Sequence, residues 1–512
     1  MTPKRAVVLV TDHPMTLGIQ FLLDHVLSQP ALAAAYELTG IFGSSRDFTR
    51  IEAPFSVDEE MHLLRFMQAL NPAVVGISCI ERTRPRFMRA LHAIKAALPD
   101  TVYMAGGVDA VADPDFYLAN GIDLVVNGDG ELPLSAVLEG LRGGRTKADL
   151  IAFPPAGVRT VAVRHAPPAP SPDVLPLPYY GDRLLSLTDR GLVTLRNDFT
   201  NPAHVQFINR RRSIDMYTQR GCTHQCSFCA QDLMIAYRGD SKRNSRKRDL
   251  REVVQRICEI KNAFPDKQFV YFWDLDFLRK PKQELLTFAE QYRERVGLPF
   301  FSFVTEKTVN AAGVDVVRAL ARAGAQTINM GLQSGSERVL KMLYQRNNTP
   351  AEARRAIDII HEATRDTSVE LLYDVITYNP QESPDEILET IRLVETIPVD
   401  GRQTIRLSTH KMSFNTGQTF ENPGVRPTSE DYQDFKSNPA IYARTQSPYL
   451  SWLLGQAMRG SIGPSRLGSV RRESLPGLLN PAYIKEMDEN RALSQPLYEA
   501  FIPLDSDAFV MG

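Results

Sequence analysis

The chain has 512 residues, 43% of them hydrophobic, enough for two to four domains with real cores. Lysine plus arginine (59) nearly cancel aspartate plus glutamate (60), so nothing in the net charge calls for a nucleic acid or an anionic membrane as partner. Five cysteines over this length make no disulfide framework. The apolar run Ala6 to Val10 soon meets Asp12 and His13, too early for a signal segment, and no later run reaches a membrane span; a soluble, cytoplasmic protein is expected.

Residues 5–11 read as a buried strand, and Leu17, Phe21, Leu22, Val26 and Leu27 give 17–28 a helical period. A second buried strand, 73–80, precedes a helix over 86–98 with Phe87, Leu91, Ile94 and Leu98 on one face. The strand Val102 to Ala105 runs into Gly106-Gly107, and Asp123 to Val126 runs into Gly128-Asp129-Gly130-Glu131 before a helix over 132–141. This alternation predicts an α/β, Rossmann-like doubly wound domain over 1–145, with ligands at the carboxyl ends of its strands. The glycines at those ends permit tight turns and close backbone approach. Asp12 and His13 read as polar residues closing a strand and capping a helix, and Cys79 as core.

From Phe153 to Tyr180 prolines punctuate a segment that sustains neither a helix nor a central strand, so 146–210 reads as a wrapping linker with an irregular hairpin ending in Arg210-Arg211-Arg212. Ser213 to Gln219 forms a strand feeding the loop Arg220-Gly221-Cys222-Thr223-His224-Gln225-Cys226-Ser227-Phe228-Cys229. Three thiolates spaced CxxxCxxC can hold three irons of a cubane cluster and leave the fourth iron open to a small molecule. A zinc site would need a fourth ligand, and His224 sits inside the loop, where closing a tetrahedron is awkward. The basic residues Lys242-Arg243 and Arg246-Lys247-Arg248 lack aromatic interleaving and read as a solvated loop.

Helices over 249–262, 281–295, 313–323, 350–364 and 384–396 then alternate with strands over 268–273, 300–305, 327–332, 369–376 and 404–408. With the strand before the loop this makes six strand–helix units, a partial (β/α)6 barrel over 211–410. Its strands end in Asp274-Leu275-Asp276, Glu306, Gln333-Ser334-Gly335-Ser336 and Asn379-Pro380-Gln381-Glu382, and Cys258 packs on a helix. Residues 411–512 carry no motif; amphipathic stretches at Tyr449–Met458 and Asp488–Ala500 suggest a mostly helical cap.

The cysteine loop, with Phe228 before its last cysteine, closely resembles the signature of the radical S-adenosylmethionine (SAM) superfamily. That resemblance implies a [4Fe–4S] cluster on Cys222, Cys226 and Cys229 whose open iron chelates SAM. Reduction by an external donor such as flavodoxin or ferredoxin then yields methionine and a 5′-deoxyadenosyl radical. Gly331 to Ser336 looks like the fourth-strand element Gly-x-Glu-Ser-Gly that holds SAM; Gln333 stands where Glu is usual, so a hydrogen bond to the ribose survives without the charge, and Ser334 follows it. Asp274 and Asp276 match the acidic end of the second strand, near the SAM amino group, although a capping or loop role suits either equally. Asn379 to Ser383 resembles the Pro-x-Glu turn of the family, with Glu382 capping the next helix, and Phe414 to Gly417 sits where relatives carry Pro-Gly-Thr. An arginine near Tyr237-Arg238 is placed to meet the SAM carboxylate.

Upstream, Val75 to Ser78, Ala105-Gly106-Gly107 and Gly128 to Glu131 look like the cobalamin-binding domain that precedes many radical SAM barrels. The likeness implies that Ser78, Gly106, Gly107, Gly128 and Glu131 contact cobalamin. The spacing Asp-x-His-x-x-Gly is absent, since Asp12 and His13 are adjacent and Gly18 follows five residues later. Either cobalamin binds without a histidine on its lower face, or the domain only packs. The implied activity is anaerobic methylation of an unactivated carbon of a small molecule: one SAM methylates cobalamin and a second supplies the radical. A cobalamin-dependent cyclase or rearrangement enzyme is the runner-up. A cobalamin sensor with an inert barrel is disfavoured by the intact cysteines, and an RNA methylthiotransferase by the balanced charge.

Overall fold

The computed structural model describes residues 3–11, 17–43, 54–79, 83–194, 213–229, 231, 234–235, 245–378, 382, 384–398 and 401–411. They fall into two compact units, one formed essentially by Met1–Asp215 and the other by Met216–Ile235 and Asp240–Phe414. Asp12, His13, Arg210–Arg212, Arg238, Lys242, Arg243, Phe414–Gly417 and the expected helical cap lie outside the described residues.

In the first unit the strands are β1 (Arg5–Thr11), β2 (Tyr36–Phe42), β3 (Val74–Ser78), β4 (Val102–Ala105), β5 (Leu124–Val126), β6 (Val158–Arg159), β7 (Leu184–Thr188) and β8 (Gly191–Thr194). Between them run α1 (Gly18–Leu27), α2 (Pro30–Ala35), α3 (Val57–Leu70), α4 (Arg84–Ala97), α5 (Val108–Ala112), α6 (Pro114–Ala119), α7 (Glu131–Arg142) and α8 (Lys147–Ala152). The sheet order is β6-β5-β4-β3-β1-β2-β7-β8. Along β1, Val7 and Leu9 enter one core while Val8 and Val10 enter the other. Burial on both faces is why the strand reads as an unbroken apolar run. Strand order reverses between β1 and β3, so the crevice for a ligand lies at the carboxyl ends of those two strands.

The described part of the segment expected to be a linker, residues 146–194, corrects that reading. It supplies α8, β6 antiparallel on β5, β7 parallel on β2 and β8 antiparallel on β7. Proline bars a central ladder position but not the sheet's margins, where β6 and β8 sit. The segment also folds back on itself. Gly157 (φ +77°) carries no side chain because a Cβ there would lie 2.2 Å from Ala169 Cα. Asn127 joins both pieces through its backbone, donating to the Gly157 carbonyl (2.8 Å) and accepting from Ala169 N–H (2.7 Å).

The second unit is a six-stranded parallel sheet in which β9 (Ser213–Met216), β12 (Phe269–Phe272), β13 (Phe300–Val304), β14 (Ala325–Gln333), β15 (Glu370–Tyr378) and β16 (Thr404–Lys411) are neighbours in chain order. A short antiparallel ribbon, β10 (Gln219–Arg220) with β11 (Arg246–Lys247), follows β9. The connecting helices are α9 (Leu250–Ala263), α10 (Lys282–Arg295), α11 (Glu306–Ala323), α12 (Pro350–Thr364) and α13 (Pro384–Glu395). Sequential parallel neighbours with helical returns are the arrangement of a partial (β/α)6 barrel. Helix α11 begins earlier than its apolar period suggests: Thr305 caps it, and Gly313 at φ +73° takes up the kink before the periodic part.

Candidate functional site

The cysteine loop leaves β10 and is fixed from behind by the segment after β14. Ser227 N–H donates to the Tyr344 carbonyl (2.9 Å), Ser227 Oγ donates to the Leu343 carbonyl (2.5 Å), and Phe228 meets Tyr344 edge-on at 5.3 Å between centroids. Phe228 thus packs against Val339, Leu340 and Leu343 and holds the loop in place. Val339–Leu343 is a π-helical turn, and the residues flanking this region, Gln333 (φ +63°) and Gln345 (φ +50°), are both left-handed without being glycine. Such conformations persist only where surrounding structure imposes them.

Cys222 and Cys226 are 7% and 6% exposed. Burial pushes the Cys222 thiol up to about 11, so the side chain by itself keeps its proton at neutral pH and a metal is what would make it a thiolate. His224 is held at about 4 by burial and then by the charges of Arg346, Lys307 and Arg279, which leaves it neutral; its backbone N–H donates to Cys222 Sγ at 3.3 Å. Among the described residues no three histidine, cysteine or carboxylate side chains gather closely enough to hold one metal ion. A cubane instead spreads its thiolates over separate irons. Beside the loop, Gln219 is 1% exposed with both amide atoms unpartnered among the described residues. The donor set and this unmatched amide fit a cluster with a ligand bound next to it.

The acidic strand ends are committed to holding the fold. Asp274 accepts from Thr218 N–H (3.1 Å) and Thr218 Oγ (2.5 Å), and Lys280 Nζ, equally buried, stands 3.8 Å away. Asp276 accepts from Thr305 Oγ (3.1 Å) and Thr308 Oγ (2.6 Å); burial pushes its carboxyl up to about 6. Both acids are therefore internal acceptors that tether the strand leading to Cys222 and the start of α11. Ser334 donates to Glu382 Oε1 (3.2 Å) and meets Thr390 Oγ at 3.1 Å. Glu382 thus clamps the Gln333-Ser334 turn, a partnership the capping reading did not contain. The Gln333 amide folds over Gly331, where a Cβ would lie 2.3 Å from its Nε2.

Sequence reasoning missed a buried pair beside the loop. Arg346 donates to Glu306 Oε2 (2.7 Å) and to the Gly331 carbonyl (2.9 Å), and Asn348 donates to Glu306 Oε1 (2.9 Å). The Arg346 charge acts on Cys226 and Cys222 as well as on Glu306. Its sequence signal was an arginine following the apolar Leu343-Tyr344.

In the first unit, Ser78 ends β3 at the crevice beside β1. Gly107 (φ +92°) lies over it, and a Cβ there would fall 2.7 Å from Ser78 Oγ. The two form a cradle that a side chain would fill, which suits close approach of a cofactor. Gly106 tolerates a Cβ, whose nearest neighbour is Val126 at 3.7 Å. Gly128 (φ +123°) faces Ala169, and Asp129 accepts from Ser171 Oγ (2.7 Å), so the proline-rich segment covers that loop. Glu131 is buried at the start of α7. The structure thus brings Ser78 and Gly107 together, while Gly128 and Glu131 follow β5, the neighbour of the strand that carries Gly106 and Gly107. Cys79 is core, its Sγ 3.1 Å from Tyr117 Oη. Arg84, not singled out from sequence, grips Asp109 (2.6 and 2.8 Å) and Asp113 (2.8 Å) and so anchors α5 behind Gly107.

Residues 216–394 match the radical SAM superfamily and residues 46–138 match the B12 binding domain. An uncharacterized methyltransferase of Pyrococcus horikoshii is 22% identical over 348 residues, 67% of this chain and 68% of the relative. The radical SAM methyltransferase TsrM of Kitasatospora setae, solved with tryptophan substrate and a SAM analogue, superposes with a TM-score of 0.55 at 16% identity, over 81% of this chain and 75% of that one. The cobalamin-dependent SAM radical enzyme OxsB, solved with aqua-cobalamin and SAM, gives 0.54 at 15% identity over 86% of this chain, which spans 56% of the OxsB chain. At these identities the structural likeness speaks for the fold. The chain belongs to the radical SAM superfamily, as an enzyme with a cobalamin-binding domain ahead of its barrel and with a [4Fe–4S] cluster, SAM and cobalamin as its cofactors.

Proposed function

We propose that this enzyme methylates an unactivated carbon of a small-molecule substrate. The observation that carries the reading is the pairing, in one chain, of the three-cysteine loop with a cobalamin-type domain. The names of the Pyrococcus relative and of TsrM, both methyltransferases, support it. When bound, the cluster supplies the electron that opens SAM, and cobalamin supplies the transferred methyl group. The chain's own residues bind and orient. Cys222, Cys226 and Cys229 hold three irons, while Ser227 and Phe228 fix the loop that carries them. Gln333 offers an uncharged hydrogen bond to SAM while Ser334, tied to Glu382 and Thr390, holds the turn that carries it, and Ser78 with Gly107 offers cobalamin a close backbone approach. The electron comes from an external donor such as flavodoxin or ferredoxin, in a reducing, cytoplasmic setting. No helix among the described residues is long and apolar enough to cross a membrane.

The test is metal content after anaerobic purification from cells fed cobalamin, followed by turnover of methyl-labelled SAM. About four irons with about one cobalt per chain, and label moving into a small molecule, is the expected result. Irons without cobalt would sink the methyl-transfer reading. Formation of 5′-deoxyadenosine with no label transferred would favour cyclisation or rearrangement.

A further inference from the structure

The inner face of the barrel is chemically divided. On β12 and β13 it is aromatic: Tyr271 stacks on Phe301 (4.3 Å between centroids, 11° between planes), Trp273 lies 4.1 Å from Tyr271, and Phe303 stands edge-on to Phe301 at 4.7 Å. The face follows from strand alternation. Phe272 packs outward on Phe288 of α10 at 5.9 Å and Phe300 on Tyr292 at 5.0 Å, so the residues one step along each strand point inward.

Strand β14 lies beside this wall, in a register that sets Thr327 opposite Phe301 and Asn329 opposite Phe303. Paired residues of a parallel ladder share a face, so Asn329 points into the barrel next to Phe303. Asn329 is 1% exposed, yet neither its amide nitrogen nor its carbonyl oxygen has a partner among the described residues. Native interiors rarely leave both ends of an amide unmatched unless a ligand or water completes them. At the same level Phe303, and Leu372 across from Asn329 on β15, keep part of their surface accessible. The inner face is therefore open in part directly beside the amide, at Phe303 and Leu372.

We propose that this is a substrate subsite for a planar aromatic or heteroaromatic group bearing an adjacent hydrogen-bond donor and acceptor. The ring lies against the aromatic wall, and its polar edge pairs with the Asn329 side chain, which offers one acceptor and two donors. Aromatic faces supply stacking but little discrimination. An amide that must be matched rejects a ring lacking the polar edge. The inference rests on the barrel being the reaction site, as proposed above.

The test uses the cluster-loaded protein without SAM turnover and titrates 2-quinolone, whose neighbouring N–H and C=O complement an amide, by calorimetry. N-methyl-2-quinolone, which has lost the donor, is the matched control. The expected result is saturable binding of 2-quinolone, weakened about tenfold by methylation of its nitrogen and about tenfold by Asn329→Leu. The two ligands should then bind the Leu variant alike. Phe303→Leu should weaken both ligands several-fold in wild-type register, and it serves if Asn329→Leu fails to fold. No saturable heat up to the solubility of 2-quinolone overturns the subsite, as does equal affinity of the two ligands for the wild-type protein. Iron content and SAM cleavage to 5′-deoxyadenosine are measured on the same wild-type preparation. Loss there sinks the functional reading, whereas intact cleavage without ligand discrimination sinks the subsite alone.

Discussion

Replacing Asp274 by Asn keeps the shape of the side chain and one acceptor for Thr218, and removes the charge facing Lys280 together with one of the two accepting oxygens. The two groups are 3.8 Å apart with both side chains 0% exposed. With an effective dielectric constant of about 20, the attraction lost is about 4 kcal/mol, within the range for breaking a buried pair. Burial already pushes the Lys280 amine down and the Asp274 carboxyl up, so the pair in the wild type is worth less than two full charges, and the stranded ammonium escapes part of the cost by releasing its proton. The net destabilisation of Asp274→Asn is therefore expected at about 3 kcal/mol. Because Thr218 lies four residues before Cys222, the variant should also take up less iron on anaerobic reconstitution. Urea unfolding followed by tryptophan emission reads the first effect: the chain has two tryptophans, and Trp273 adjoins Asp274, so a Trp452→Phe background isolates it. Adding Lys280→Met removes the stranded charge and should return about 2 kcal/mol. If Asp274→Asn unfolds at the wild-type urea concentration, or the double variant is no more stable than the single one, the ion-pair reasoning is wrong.

Burial, reinforced by Glu386 and Glu389, pushes the Glu382 carboxyl up to about 8 from an ordinary 4.5, against the Ser334 hydrogen bond and Arg338. Between those two pH values the unfolded chain has released a proton that the folded chain keeps, so stability falls as pH rises through the window, by up to about 5 kcal/mol. Unfolding at several pH values should show that slope in the wild type and its flattening in Glu382→Gln. Gly335→Ala brings a Cβ to 2.3 Å from the Glu389 carbonyl oxygen, a backbone atom that cannot swing aside, and should cost about 2–3 kcal/mol by the same unfolding assay. Cys222→Ser should abolish the iron–sulfur absorbance, while Cys79→Ser and Cys258→Ser should leave it intact; loss of absorbance in either of the last two would move the cluster ligands.

Where local chemistry decides an element, the sequence showed it to the residue. Strand β1 is an apolar run with no polar break, and α12 is announced by Thr349, Pro350 and Glu352, which the structure joins in a capping box. Strand β2 escaped notice because Glu37, Thr39 and Gly40 interrupt its apolar residues, and α3 because only Leu63 and Met67 of its face are buried. The cluster ligands were legible since one short loop supplies all three. The groups that hold that loop were not: Thr218 meets Asp274 and Glu306 meets Arg346 across intervals of 56 and 40 residues, which no spacing rule covers. Asn329 stood in plain view between Ile328 and Met330, a polar residue poorly suited to a strand interior. Only the register shows which way it points.

The carboxylates at the strand ends of the barrel, among them the two that motif reading would hand to SAM, are answered within the protein. Asp274 is matched by Lys280, Glu306 by Arg346, and Asp276 by two threonine hydroxyls. Among the described residues, the side chains whose two polar ends are both buried without a partner, Gln219 and Asn329, are amides, and the residue at the usual glutamate position is the amide Gln333. A cluster bound by three thiolates is itself a centre of negative charge, and a further carboxylate in a poorly screened interior would repel the electron that the chemistry needs. Amides orient a ligand without adding to that field. Glutamine at position 333 is then part of a consistent arrangement: the buried carboxylates Asp274 and Glu306 are matched by cations within the protein, and uncharged amides are left to orient a ligand.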